Sequence, residues 1–398
     1  MKMKNLPRAA ERFLRYVQIN TQADPLCAES PSSKGQWKLA QVLVEELAQM
    51  GARDIELTPQ GVVLATIPGR EPAVGFLAHL DTSPAAPGGP VKPLLHEYQG
   101  GKIILPSGEV DHPLLAKAVG CTVITSDGST LLGADDKAGI AAIMDAAQRL
   151  LAEPEAHATV RIAFTPDEEL GRGTDHLDVV KFGVSAAYTV DGGALGELEW
   201  ENFYAQNLRI VIQGKSSHTG DAKGRMVNAV RLAGNFASSL PAVALPETTA
   251  GREGFIHVDS IRGSVEKAEL EVLLRDFSSQ GLAQKRSLVE NLLAGIVSEP
   301  GSYRVEETGG YLNMKEAVAK NPQVVELARQ AMKRVGVVPW EKPIRGGTDG
   351  AMLAKAGLPC PNLFTGGVDP HSRSEWLVAQ WLQRAADVVV TIARLWGE

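Results

Sequence analysis

The sequence predicts an α/β protein, a mostly parallel sheet flanked by helices and interrupted by an inserted ferredoxin-like α+β domain. Three observations predict it. Continuous apolar runs of strand length recur at "AVGFLAHLD", "TVRIAF" and "AAYTV", as expected for strands covered on both faces. Helical patterns separate such runs, most clearly in "DKAGIAAIMDAAQRLLAE" from Asp136. Between residues 203 and 313 the order changes to β-α-β-β-α-β, with alternating rather than continuous strands.

Taken in order, Leu6, Ala10, Phe13 and Val17 fall at helical spacing. A second helix covers "QWKLAQVLVEELAQM", with Gly51 as its C-terminal stop. "DIEL" and "GVVLATI" read as short strands before the buried run at residues 73–81. Residues 82–130 are rich in Gly, Pro and turn dipeptides and give no clear assignment. The helix from Asp136 and two more buried strands complete the first part, with Pro166 ending the strand that contains Arg161 to Phe164. In the inserted part, strands at "NLRIVIQG", "GFIHVDSIRG", "KAELEVLLRDF" and "YRVEET" enclose helices at "VNAVRLAGNFASSL" and "SSQGLAQKRSLVENLLAGIV". The first pattern then resumes with a helix at 321–335, the glycine-rich "IRGGTDGA", the strand "PNLF" and a long C-terminal helix. The expected division is 1–202, 203–313 for the insert, and 314–398 for the return.

Composition sets the class. The chain has 398 residues, 44% hydrophobic and 22% charged, which suits an ordinary globular protein of two or three domains. A net charge of −7 argues against nucleic acid and anionic membranes as partners. No apolar run approaches the length of a membrane span. The opening "MKMKNLPRAAERFLRYV" lacks the apolar stretch of a secretory signal. The three cysteines, Cys27, Cys121 and Cys360, lie far apart and suggest neither a disulfide framework nor a thiolate metal site. A cytoplasmic enzyme is the expectation, with a homodimer left open.

The candidate chemistry sits just past the predicted strands. His79 and Asp81 are two apart, so in extended chain they share a face, and Asp81 could orient the ring of a metal-bound His79. The alternative is a strand-end histidine followed by a turn-forming aspartate. Asp135 and Asp136 stand where a loop enters a helix, which fits either Asp135 as a carboxylate bridging two metals or simple N-terminal capping. Asp167, Glu168 and Glu169 crowd behind Pro166. Such acids repel and are costly to desolvate unless something positive lies between them. One glutamate could hold a metal and the other take a proton from water. Asp191 ends a third strand, and His371 follows a fourth. Open α/β sheets place ligand sites at these strand ends. Two imidazoles and three carboxylates suit a pair of ions of the Zn, Co or Mn kind.

The strings "HLDTSP", "TLLGADDKAGIA", "AFTPDEELG", "YTVDGG", "IRGGTDGA" and "PCPNLFTGG" resemble those of the peptidase T family, tripeptide aminopeptidases among the co-catalytic dinuclear zinc peptidases. The similarity runs from "GQWKL" to the last helix. The resemblance implies a dinuclear zinc exopeptidase fold whose insert acts as a lid. It implies two zinc ions, with Co or Mn as substitutes. His79 and Asp191 would hold one ion, Glu169 and His371 the other, and Asp135 with a water or hydroxide would bridge them. Glu168 would be the general base and Asp81 would orient His79. His218 matches a lid histidine that approaches the scissile carbonyl, although His218-Thr219-Gly220 stands where the family often has His-Pro-Gly. Arg275 and Arg345 match positions suited to a substrate carboxylate, since a guanidinium can bind both oxygens. Their alternative is ion pairing with Asp276 and Asp349.

The leading expectation is therefore a metal-dependent aminopeptidase that removes the N-terminal residue from tripeptides. A dipeptidase or an N-acyl amino acid deacylase of the same architecture is a second reading. A non-catalytic binding homologue is a third, disfavoured because Glu168 and all five expected ligands are present.

Overall fold

A computed structural model describes residues 6–398; the first five residues of the opening segment lie outside the described residues. The chain divides into two compact units. The first runs up to Trp200 and includes Met314–Lys342 and Thr348–Glu398. The second comprises Glu201–Asn313 and Pro343–Gly347.

The first unit begins with α1 (Arg8–Tyr16), α2 (Lys34–Met50), β1 (Arg53–Leu57), β2 (Val63–Ile67) and β3 (Arg70–His79). The segment that gave no assignment from sequence contains β4 (Leu94–Glu97), β5 (Ile103–Leu105), β6 (Gly108–Val110) and β7 (Thr122–Thr125). Then come α3 (Ala134–Leu150), β8 (Ala158–Thr165), α4 (Val179–Phe182), β9 (Ala187–Gly192) and β10 (Glu197–Glu199). The second unit holds β11 (Tyr204–Gln213), α5 (Ala229–Ser239), β12 (Phe255–Gly263), β13 (Lys267–Asp276), α6 (Ser279–Ile296) and β14 (Ser302–Gly309). The first unit resumes with α7 (Lys315–Lys320), α8 (Gln323–Arg334), β15 (Trp340–Glu341), α9 (Asp349–Lys355), β16 (Asn362–Phe364), β17 (Gly367–Val368), β18 (Trp376–Val378) and α10 (Ala379–Trp396). Among the described residues, no helix is long and apolar enough to cross a membrane.

The main sheet of the first unit has eight strands in the order β1-β2-β8-β3-β9-β16-β10-β15. Its centre, β8, β3, β9 and β16, is parallel. Antiparallel pairs occur at β1–β2, β2–β8 and β16–β10, so the sheet is mixed toward its edges. The apolar runs are continuous because both faces are covered. Along β3, Val74, Phe76 and Ala78 join a core with α1, α2, α3 and α10, while Leu77 joins Phe182, Leu353 and Cys360 on the other face. A second sheet, β17-β18-β7-β4, packs Val123, Trp376 and Val378 into its own small core.

In the second unit the sheet order is β12-β13-β11-β14, all antiparallel, the order of a ferredoxin-like fold. Leu208, Ile210 and Ile212 of β11 alternate inward and meet Leu270, Val272 and Leu274 of β13. Ala229, Ala233 and Phe236 of α5 and Val289 and Leu293 of α6 cover this face.

Candidate metal centre

Register aligns the first group of side chains. His79, the last residue of β3, is paired with Thr165, the last residue of β8. On its other side β3 pairs with β9 at Gly75↔Ala187 and Leu77↔Thr189. The same offset sets His79 level with Asp191. The three parallel strands thus end together, and their C-terminal edge carries the candidate residues.

Asp135 arrives from a different direction. Gly133 takes a left-handed conformation (φ 80°), and Asp135 and Asp136 are non-helical before α3 becomes regular. At Gly139 a Cβ would lie 1.8 Å from the carbonyl oxygen of Val190. Only glycine lets the start of α3 come this close to the strand that carries Asp191. The two adjacent aspartates then divide their tasks. Asp136 is fully buried and accepts from the backbone N–H groups of His79 (3.1 Å) and Gly139 (3.1 Å). It caps and staples; Asp135 faces the cluster.

The carboxylate of Asp135 lies between two imidazoles. Its Oδ1 is 2.8 Å from Nε2 of His79, and its Oδ2 is 3.0 Å from Nε2 of His371. His79 Nε2 also lies 3.5 Å from Asp191, and His371 Nε2 lies 2.8 Å from Glu169. Two sets of potential ligand atoms result, His79–Asp135–Asp191 and Asp135–Glu169–His371, each within 4.8 Å and sharing Asp135.

Asp81 is fully buried and ties two parts together. Its Oδ1 is 3.3 Å from Nδ1 of His79, which leaves Nε2 facing Asp135. The same carboxylate accepts from the backbone N–H groups of Glu168 (3.0 Å) and Glu169 (3.1 Å). The acidic run "DEE" is sorted in this way. Asp167, left-handed at φ 58°, turns inward and accepts from the Ser32 backbone and the Gln36 amide. Glu169 turns toward His371.

The electrostatics of the cluster show a surplus of buried negative charge. Burial, then the field of Asp135, pushes the Asp191 carboxyl up to about 7. Burial likewise raises Glu168 and Glu169. Hydrogen bonds to Asp135 and Glu169 push the His371 imidazolium up to about 11. Burial alone would raise Asp135, but His371 and His79 hold it below the usual carboxylate range. Among the described residues, no lysine or arginine forms an ion pair with Asp135, Glu168, Glu169 or Asp191. The carboxylates therefore call for positive charge at their centre, and oxygen and imidazole donors fit divalent ions.

Several buried groups around the cluster were not singled out from sequence. Asn362 accepts from the backbone N–H of Asp191 (3.0 Å) and donates to Glu199 (2.9 Å). Asp349 accepts from the Thr165 hydroxyl at 2.7 Å. Lys137 is fully buried and donates to the Ile19 carbonyl at 2.9 Å. Glu375 accepts from the loop before Asp135. Only "GADDK" and "GGTDG" offered a signal, as polar residues embedded in apolar or glycine-rich surroundings.

The remaining candidates belong to the second unit. His218 is exposed, and its Nδ1 accepts from the backbone N–H of Gly220 at 3.1 Å. Arg275 donates to Asn207 (3.0 Å) and its guanidinium lies 5.4 Å from the centre of the Tyr311 ring. Arg345 donates to the backbone carbonyls of Gly251 and Glu253 and lies over Phe203 and Phe255. Neither makes the ion pair offered as its alternative. Asp276 pairs instead with Lys285, and Asp349 bonds to Thr165. The segment Pro343–Gly347, with Arg345, clusters with the second unit rather than with the returning chain.

Comparison with known proteins places these residues in context. Residues 128–395 match the model of peptidase family M20/M25/M40. A protein named peptidase T from Geobacillus kaustophilus (strain HTA426) is 46% identical over 402 residues, covering 98% of each chain. Among solved structures, aminopeptidase PepT from Bacillus cereus ATCC 10987 is similar with a TM-score of 0.77 at 23% identity, covering 98% of each chain. The YxeP protein of Bacillus subtilis, described as a dinuclear metal binding peptidase from the M20 family, has a TM-score of 0.64 at 18% identity, covering 97% of this chain and 98% of that one.

Proposed function

The chain belongs to peptidase family M20/M25/M40, and on that premise we propose that it is a metal-dependent aminopeptidase that releases the N-terminal residue of tripeptides. One observation carries the metal part of this reading: a single carboxylate, Asp135, has each oxygen against a different imidazole, and each imidazole has its own second carboxylate. His79 and Asp191 would hold one ion, Glu169 and His371 the other, with Asp135 shared. Zinc is the proposed ion because imidazole and carboxylate donors without thiolates suit it, and Co or Mn would suit the same donors.

Two ions so held would polarise the scissile carbonyl and acidify a water molecule. The side chains of the chain itself would do the rest. Glu168 would take the proton from the attacking water and deliver it to the leaving amine. Asp81 would keep His79 in the tautomer that presents Nε2, and would hold the Glu168–Glu169 backbone in place. His218 is proposed to meet the carbonyl oxygen. Its Nδ1 is already an acceptor for Gly220, so in the neutral ring the proton sits on Nε2, available as a donor. The Gly220 bond also restrains the loop, which has Thr219 where the resemblance implies a proline. Arg275 is proposed to meet the substrate carboxylate, while Arg345 has its donors directed at backbone carbonyls. The cytoplasm is the proposed setting.

Substrate profiling tests the reading. A zinc-loaded preparation is offered one series of di-, tri- and tetrapeptides and N-acetyl amino acids. Tripeptides with a free amine should be cleaved fastest, with release of the first residue. Preference for dipeptides or N-acetyl amino acids would move the chain to the dipeptidase or deacylase reading.

A further inference from the structure

The loop that delivers Asp135 ends its hydrogen bonds on one carboxylate, that of Glu375. Glu375 is buried, with 1% of its surface exposed. Its Oε2 accepts from the backbone N–H groups of Leu132 (2.7 Å) and Gly133 (2.7 Å), and its Oε1 accepts from that of Asp135 itself (3.0 Å). Leu132 and Gly133 are buried, so these donors have little access to water.

Two further facts turn this from a local cap into a clamp. Glu375 lies four residues after His371, in the connection from β17 to β18. His371 holds the side chain of Asp135 at 3.0 Å, and Glu375 holds its backbone at 3.0 Å. One short segment therefore grips the same aspartate at both ends. The register of that segment is also fixed. Trp376, the next residue, pairs with Thr125 of β7 across the small sheet, and β7 leads directly into the loop that carries Asp135.

We propose that Glu375 is a positioning residue that seats Asp135 between the two imidazoles, so that one carboxylate can serve two ions. The proposal rests on the two-ion reading of the site. Glu375 belongs to neither set of potential ligand atoms; it acts through the backbone of Asp135. A carboxylate is required because both of its ends must accept. In Glu375→Gln the amide oxygen can still serve Leu132 and Gly133, but the NH2 group then confronts the Asp135 N–H. The substitution unseats Asp135 while changing little volume. Loss of partners outside the ligand shell typically weakens metal binding about 10–100-fold.

The test compares full-length wild type with Glu375→Gln, Glu375→Asp and Leu377→Ala. Leu377 is buried in β18, two residues beyond Glu375, and its hydrocarbon side chain offers no acceptor to the loop N–H groups, so it reports the effect of lost packing stability. Zinc affinity is measured on metal-free protein by competition with a chromophoric chelator, well below the unfolding temperature. Wild type should bind two ions. Glu375→Gln should bind zinc about 10–100-fold more weakly, Glu375→Asp should fall between, and Leu377→Ala should bind as wild type while unfolding at a lower temperature. If Glu375→Gln does not fold, Glu375→Asp carries the same comparison. Wild-type affinity in both Glu375 variants, or equal weakening in Leu377→Ala, would overturn the proposal while leaving the two-ion reading intact. A wild type that binds no ion pair would overturn both.

Discussion

The strands of the two units end differently. In the second unit, β11 and β13 carry Leu208, Ile210, Ile212, Leu270, Val272 and Leu274 inward, and their charges pair at the surface, as Arg209 does with Glu269. Among the described residues, its buried charged side chains are limited to Glu201. In the first unit, β3, β8 and β9 run into His79, the Glu168–Glu169 turn and Asp191, and Asp81, Asp136, Lys137, Asp349 and Glu375 are buried around them. Burying so many charges costs stability unless the fold is shaped around something that binds them. The second unit is built for stability by ordinary packing. The first gives up part of that economy at one edge of its sheet, and that edge is where chemistry is expected.

The largest expected break in this contrast is at Glu168. Glu168→Gln should keep its metal content and lose about 10²–10⁴-fold in kcat. Near-normal turnover in a metal-replete Glu168→Gln protein would remove Glu168 from the general-base role. A change of similar size in free energy, but of another kind, is expected from Leu270→Ala in the second unit. It should destabilise that unit by about 2–5 kcal/mol, read by denaturant unfolding, and leave zinc affinity at the wild-type level. Weakened zinc binding in the folded variant would show that the two regions are not separable in this way.

The contrast follows what could be read from sequence. Strands buried on both faces announce themselves by continuous apolar runs, and alternating strands by their period, so the core of each unit was legible. The residues brought together at the cluster were legible because each follows such a run: His79 after "GFLA", Asp191 after "AYTV", Glu169 after "RIAF". The small sheet was not. β7 and β18 are four and three residues long, and their pairing joins positions some 250 residues apart, as Thr125 does with Trp376. Glu375 was missed for the same reason, since its partners are backbone N–H groups from that distant segment. Asp135 was the expected bridge, but the capping task of Asp136 was not legible, because it depends on the non-helical backbone between Gly133 and α3. The second unit's claim on Arg345 was hidden too, since it comes from a five-residue excursion of the returning chain.

A smaller effect separates substrate binding from metal binding. Arg275→Ala should lower kcat/KM for a tripeptide by roughly 10–150-fold, the loss of a hydrogen bond to a charged group, and do so far less for the C-terminally amidated peptide. Equal losses on acid and amide would make Arg275 structural, through Asn207 and Tyr311.

The smallest effect concerns a surface charge of the second unit. Burial acts to raise the Asp276 carboxyl, but Lys285 and the Ser278 backbone hold it below its ordinary value of about 4. The folded state therefore favours the ionised form. Its stabilisation is complete above that ordinary value and is lost as pH falls through the lower folded value. Asp276→Asn should cost about 0.5–1.5 kcal/mol at neutral pH. The difference from wild type should shrink in acid; a difference independent of pH would assign the effect to packing.

The central claim is that the acid-rich edge of the first unit holds two ions and uses them on a peptide with a free amine. The most direct measurement titrates metal-free protein with zinc while following release of the first residue from a tripeptide and from its N-acetylated counterpart. Activity should rise until two ions are bound per chain, on the free tripeptide only. Full activity in excess chelator or at one ion per chain, or equal cleavage of the acetylated peptide, would contradict the account.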